Sequence, residues 1–458
     1  MNAIILLAIT GLISMFSGIF RKKHWALPII LISCVASIFI LAGGYHGNYS
    51  DISNNMLTFD KLAIKFSIII IFILMFVFMM CQYYYSEDIE HLSDIFALFV
   101  FSSIGAILLV SFQNLTMLFL GTEILSIPLY ILAASNRKNL ASNEAGLKYY
   151  LLGSFATCFM LLGITLIYGA YGSFDLGVIA SARESMGESS LFTTGLFLVI
   201  CAFIFKIGAV PFHFWAPDVY HGAPTVLTAF VSTVVKVAIF GALIKFVSFI
   251  GLQPKVHWAL LLTLVSIASM VFGNLASLKQ ENFKRLMAYT GIANAGFVLI
   301  AYLVLQHETY VYVIYNLTVY SVAAIIALSI YSTVKTQTNI DTISGMTGLL
   351  THNKLLGVAM IICMLSFAGI PPLAGFFAKY FILVEAIKYD YTWIAVVGVL
   401  VSVLAAYNYL RIIASIGQRD DTIPTISLSL IHRAFIIAGI VFLVVSGLMP
   451  EIVISWLR

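Results

Sequence analysis

Residues 201–241 read CAFIFKIGAVPFHFWAPDVYHGAPTVLTAFVSTVVKVAIFG. Lys206 and Lys236 stand inside long apolar runs. Between them lie Pro211, Pro217 and Pro224 with His213, His221 and Asp218. A lysine at the centre of a spanning helix costs about 2.5–3.5 kcal/mol on insertion scales. A proline in a helix interior frees a carbonyl and kinks the axis. In hydrocarbon that freed backbone must be satisfied by protein or by water. A stretch carrying both costs argues for an ion path rather than a plain anchor.

The rest of the chain supplies the setting. Its 458 residues are 61% hydrophobic and only 10% charged, with a mean hydropathy of +1.04. A soluble protein of this size needs far more charge on its surface. The composition predicts an all-α polytopic membrane protein in a lipid bilayer. Fourteen apolar segments are expected: 3–20, 26–43, 62–85, 94–112, 115–134, 145–170, 191–214, 223–250, 257–277, 286–305, 309–334, 355–387, 391–415 and 433–456. The first lacks a preceding positive region and reads as a span, not a cleaved signal. The twelfth contains Gly369, Pro371, Pro372 and Gly375 and reads as a second broken helix. The predicted organisation is one membrane domain: 1–93 with the first three spans, a five-helix unit over 94–250, a second over 257–415, and a last span at 433–456.

Lysine and arginine bias sets orientation. Fourteen fall in the loops of one face and seven in those of the other, which predicts both termini outside. The acidic loop 86–94 runs against this, but acidic residues count little in the rule. The five tryptophans fall near segment ends, as an interfacial belt would place them. The net charge of +4 comes without a basic patch, so no nucleic-acid partner is expected. Cys34, Cys81, Cys158, Cys201 and Cys363 are scattered without metal-site spacing and read as apolar packing residues. No Gly-rich phosphate loop or nucleotide fingerprint is present. Any energy source is expected in another subunit or an ion gradient.

Four ionisable residues lie deep in spans: Glu123, Lys206, Lys236 and Lys379. For Glu123 the alternatives are a structural ion pair or a carboxylate that modulates a lysine's proton affinity. For the lysines they are snorkelling or uptake and release of a proton as a partner moves. Lys379 follows Pro372 by seven residues and is expected to face the same cavity. His213 and His221 flank the first break and suit either a proton relay or capping of freed carbonyls. Asp218, in APDVYHGAP, reads as a surface or turn residue and Glu385 as interfacial, with channel-mouth roles as alternatives. Lys148, Lys284 and Arg285 read as positive charge on the inner face. The placement of the two breaks suggests inverted repeats with discontinuous helices.

The stretches FLGTEILSIPLYIL (119–132), NEAGLKYYLLGS (143–154), FKIGAVPFHFWAPDVYHGAPT (205–225), GNLASLKQENFKRLMAYTGIANAGF (273–297) and LSFAGIPPLAGFFAKYFIL (365–383) resemble the antiporter-like subunits of proton-pumping NADH–quinone oxidoreductase, respiratory complex I. A lysine at 379, where a sister subunit carries glutamate, favours the N-type over the M-type. The resemblance implies two inverted five-helix repeats and a proton-translocating role coupled to quinone reduction in other subunits. It implies Glu123 paired with Lys206, a central Lys236, and Lys379 leading outward. It also implies M-type and K-type membrane-arm partners and a bacterial plasma membrane. NADH, FMN, iron–sulfur clusters and quinone would be held by partner subunits, with no cofactor in this chain. The family often has a histidine where this chain has Asn294, which an amide cannot replace in titration. The rival expectations are a subunit of a multi-subunit sodium/proton antiporter and a scaffold whose buried charges only pair.

Overall fold

The computed structural model describes residues 1–19, 25–44, 56–85, 92–249, 256–304, 307–418, 426 and 428–458. The helices in chain order are α1 (Asn2–Ile19), α2 (Ala26–Ala42), α3 (Lys61–Tyr84), α4 (Leu92–Ser111), α5 (Leu115–Ala133), α6 (Leu140–Tyr171), α7 (Leu176–Met186), α8 (Ser190–Ile207), α9 (Trp215–Gly222), α10 (Thr225–Phe230), α11 (Lys236–Phe249), α12 (Val256–Ser277), α13 (Phe283–Val304), α14 (His307–Thr338), α15 (Leu349–His352), α16 (Lys354–Ala368), α17 (Ala374–Lys388), α18 (Thr392–Gly417), α19 (Leu430–Leu448) and α20 (Pro450–Leu457). Only isolated bridges, such as Leu57 with Phe112, interrupt the all-helical pattern among the described residues.

Eleven of the described helices are long and apolar enough to cross a membrane. Three further apolar helices, at Asn2–Gly18, Ala26–Ala42 and Lys354–Ala368, are shorter. The last of them is short because it stops at a break. Length and composition therefore establish eleven of the fourteen expected spans. Most of the acidic loop, 86–91, lies outside the described residues, as does 20–24.

The two breaks share one construction. Helix α8 ends at Gly208 (φ 72°) and α16 at Gly369 (φ 77°), both left-handed. Only glycine adopts that conformation without a Cβ penalty. In each, the next amide reaches back over the last turn, Ala209 N to Ile204 O and Ile370 N to Leu365 O. A proline after a cis peptide follows three residues beyond each glycine, at Pro211 and Pro372. The chain then re-enters helix as α9 and as α17.

Several expectations need correction. The segment 191–214 stops being helical at Ile207, because Gly208 caps it. The expected loop APDVYHGAP holds α9, since Pro217 falls in the first turn, where a missing N–H costs nothing. Helix α7 was not anticipated, because Leu176 and Ile179 alone are buried on it. The segment 433–456 is cut into α19 and α20 at Met449–Pro450. Trp215 is no interfacial tryptophan: it is buried, stacked on Tyr149 and Phe205, and donates Nε1–H to the Phe205 carbonyl. Cys158 is exposed and Cys201 half-buried, unlike buried Cys34, Cys81 and Cys363.

Two helical runs form the interior. Residues Thr225–Ser248 and helix α14 are buried throughout their apolar windows. The first carries an unusual turn: Val231–Val235, directly before Lys236, is π-helical. Such turns insert one residue into an α-helix and recur at functional sites. At the far end of the same run, Lys245 is buried. Its ammonium donates to Thr58 Oγ1 at 2.7 Å and lies 3.4 Å from Asp60 Oδ2. Asp60 also caps α3, accepting from the Ala63 N–H at 2.7 Å. This contact ties α11 to the amino-terminal helices. Asp60→Asn should retain the cap and lose the charge, whereas Asp60→Ala loses both. The alanine variant is expected to be less stable than the asparagine variant by about 1 kcal/mol, the usual worth of a helix cap. Thermal unfolding of the detergent-solubilised protein measures the order, and equal stabilities would refute the capping assignment.

Candidate functional site

The site is built on the two breaks and the interior run between them. Lys206 lies in the last turn of α8, two residues before Gly208. It is buried, and its ammonium donates to Ser126 Oγ at 2.9 Å and to Tyr130 OH at 3.3 Å, both on α5. The implied Glu123–Lys206 ion pair is not closed. Glu123 lies one turn before Ser126 on the same helix, and its Oε1 is buried without a hydrogen-bond partner. The lysine takes the two hydroxyls because they lie level with the end of α8, one and two turns beyond the carboxylate. Residues 123, 126 and 130 share one face of α5, so the carboxylate and the hydroxyls form a single track.

Lys236 follows the π turn. It is buried, and its ammonium donates to the Gly291 carbonyl of α13 at 2.6 Å. Lys379, on α17, reaches back across the second break to donate to the Phe367 carbonyl at 2.8 Å, with the Phe297 ring centroid 5.3 Å from its nitrogen. Phe367 is in the last turn of α16. Lys206 and Lys379 thus both lie at the carboxy-terminal end of a half-helix, the negative end of its dipole, where a cation is favoured. None of the three ammoniums has a carboxylate within ion-pair distance. An ammonium has three donors, and each here has one or two protein partners.

A small pocket lies beside Lys379, lined by Thr290, Asn294, Asn316, Tyr320 and Tyr409 among others. It abuts Gly291, the residue that holds Lys236. The structure therefore brings Lys236 and Lys379 to the same region of the interior, while Lys206 and Glu123 occupy a separate place on α5 and α8. His213 is buried between the rings of Phe214 and Phe272, with Nδ1 unpartnered. His221, at the end of α9, is exposed. Partial burial of its ring, and then the positive charges of Lys284 and Arg285, hold it below the ordinary histidine pKa. Glu385 is buried and pairs with exposed Lys388 at 2.6 Å.

Asp218 does more than sit in a turn. Its Oδ2 accepts from Lys148 of α6 at 2.7 Å and its Oδ1 from Arg285 Nη1 of α13 at 2.9 Å. Glu144 joins through Lys148 at 2.7 Å. Beside them Lys284 is buried and donates to the Ala223 carbonyl at the end of α9, at 2.7 Å. Burial alone would raise the Asp218 carboxyl. The hydrogen bonds and charges of Lys148 and Arg285 outweigh it and hold the group below the ordinary carboxylate range. Sequence reasoning missed the buried role of Lys284, whose neighbour Arg285 disguised it as loop charge. It also missed Tyr320 and Asn316, which look like core residues in an apolar helix. Among the described residues no cluster of three His, Cys, Asp or Glu side chains could hold a metal ion.

Broken helices with inward lysines beside a polar interior cavity define a class of ion-translocating membrane protein. The chain belongs to the NADH:quinone oxidoreductase/Mrp antiporter transmembrane family, which matches residues 112–405. It is 38% identical to the NADH-quinone oxidoreductase subunit N of Cytophaga hutchinsonii over 99% of both chains. Among solved structures it resembles a chain of respiratory complex I from Thermus thermophilus, with TM-score 0.80 and 29% identity over 100% of this chain and 99% of that one. A chain of the Mrp complex from Dietzia shares the fold, with TM-score 0.83, 16% identity and coverage of 99% and 95%.

Because the Asp218 carboxyl is depressed on folding, its contribution is fully present above the ordinary carboxylate pKa. It is lost as pH falls through the folded value. Asp218→Asn should lower the unfolding temperature at pH 7. The gap between parent and variant should shrink once pH drops below about 3.9. Thermal unfolding at a series of pH values checks this, and a gap independent of pH would sink the assignment.

Proposed function

We propose that the chain is the N-type proton-translocating subunit in the membrane arm of an NADH–quinone oxidoreductase. The observation that carries the reading is the set of three inward lysines, each held by neutral oxygens instead of a carboxylate, two of them at half-helix ends. A lysine so held gives up and regains a proton as its few partners or its water change. The likeness to subunit N relatives over the whole chain supports the redox assignment over the antiporter alternative. The Dietzia likeness supports the shared fold alone.

In this reading NADH oxidation and quinone reduction take place in other subunits, which hold the flavin, the iron–sulfur clusters and the quinone. M-type and K-type subunits are the neighbours in the membrane arm, and the membrane is the bacterial plasma membrane with both termini on the periplasmic face. The five-helix units 94–250 and 257–415 act as a pair of half-pumps, each centred on one break. Lys206 has two stations on α5, the Ser126–Tyr130 hydroxyls and the unpaired Glu123 carboxylate. Movement between them changes the charge felt along α10 and α11. Lys236 then passes a proton toward Lys379, which delivers it outward. His213 and His221 stand at the first break as relay candidates on the inward side.

The test uses the whole complex in inverted membrane vesicles. Lys236→Ala and Lys379→Ala should leave the complex assembled on a native gel stained for NADH dehydrogenase activity, and should lower proton translocation several-fold. Normal pumping by both assembled variants would remove the lysines from the path. A chain that migrates in a smaller, unstained complex with sodium-dependent transport would move the protein to the antiporter class.

A further inference from the structure

The gap between Lys236 and Lys379 holds no histidine, since Asn294 stands on the cavity wall instead. Another group on that wall is suited to the transfer. Tyr320, on α14, is 7% exposed, lines the cavity, and has a hydroxyl without a hydrogen bond of good geometry. One turn away on the same helix, Asn316 is 2% exposed and lines the same cavity. Its Nδ2 donates to the Ala378 carbonyl at 3.2 Å, next to Lys379, and its Oδ1 is unpartnered. Leaving a buried polar group unsatisfied costs about 1–3 kcal/mol, so two such atoms on residues that line one small pocket mark a site for water.

Gly291 shows how Lys236 reaches this space. A methyl group at that position would sit 2.8 Å from Lys236 Nζ and 2.9 Å from the Tyr320 hydroxyl oxygen. The ammonium and the phenol therefore face each other across the bare Cα of Gly291. They are separated by no more than the sum of those two distances. On its other side the Tyr320 ring packs on Phe367, whose carbonyl holds the Lys379 ammonium. Thr290, beside Gly291, lies within reach of both Tyr320 and Tyr409.

The geometry points to Tyr320 as the proton-bridging residue between Lys236 and Lys379, with Asn316 positioning the water that completes the link. This rests on the proton-translocation reading above. In the transfer, an N–H bond of the Lys236 ammonium breaks and its proton passes to the phenol oxygen, directly or through one water. The phenol releases its own proton to the water held at Asn316. That water in turn releases a proton to the neutral Lys379 amine, which becomes ammonium. Tyr320 begins and ends neutral, and its hydroxyl must rotate back before the next transfer. Gly291 is required because any side chain there would fill the gap between donor and acceptor.

The experiment compares Tyr320→Phe, Gly291→Ala, Tyr320→Phe with Asn294→His, and Lys236→Ala, each in the whole complex in inverted vesicles. Protons translocated per NADH oxidised are measured in H₂O and D₂O, with assembly followed on native gels. Tyr320→Phe preserves the ring and its packing, and is expected to assemble normally, to pump several-fold less and to show a changed solvent isotope effect. Asn294→His puts a titratable ring on the same wall and is expected to restore pumping to the phenylalanine variant. Gly291→Ala should impair pumping by separating Lys236 from Tyr320. Normal pumping by Tyr320→Phe overturns the assignment. So does a loss that is not rescued and leaves the isotope effect unchanged, because that is the outcome of a merely structural tyrosine. Normal pumping by Lys236→Ala would instead defeat the translocation reading itself, so the two failures are distinguishable.

Discussion

An ammonium inside an apolar protein must find oxygen, and most of this structure follows from how three of them do so. Carboxylates would satisfy them best and also fix them, since a buried ion pair is costly to open. Here the partners are neutral: two hydroxyls for Lys206 and one carbonyl each for Lys236 and Lys379. Two of those environments exist because a helix stops in mid-span and presents its negative end. The left-handed glycines and the prolines after them are what stop it. Backbone irregularity and charge, each expensive alone in a membrane, offset one another when they are placed together.

The same logic explains which parts of the site were legible in the sequence. Lysine in an apolar run is a strong signal, and so is a Gly–Pro cluster in the middle of a long one. Those two features marked both breaks and all three lysines. What the sequence left hidden depends on direction. Lys206 had a glutamate and two hydroxyls along one helix face, and only the folded structure decides among them. Tyr320 lies in α14, whose apolar window is buried throughout and where an aromatic residue is ordinarily core. Its unpaired hydroxyl becomes visible only with the cavity beside it. The π turn at Val231–Val235 has no composition signature, because its valines and small polar residues suit an ordinary helix as well.

The polar cluster around Asp218 lies outside the lysine line, yet it bears on it. It joins α6 and α9, from the first half of the chain, to α13, which supplies the carbonyl that holds Lys236. Buried Lys284 adds a second tie at the end of α9. The re-entrant part of the first break is therefore fastened to the second half at one membrane face. Reading Asp218 as a turn residue missed this, since its two partners are about 70 residues away in sequence, at 148 and 285.

The tie between Lys245 and the Thr58–Asp60 segment has a mechanical meaning when set beside the π turn. The rod that carries Lys236 is pinned at one end by an ionic and hydroxyl contact. Immediately on the other side of Lys236 it contains a loosely wound turn with an extra residue. The pin at Lys245 and the π turn at Val231–Val235 therefore bracket Lys236, one side of it tied to the amino-terminal segment and the other wound with an extra residue.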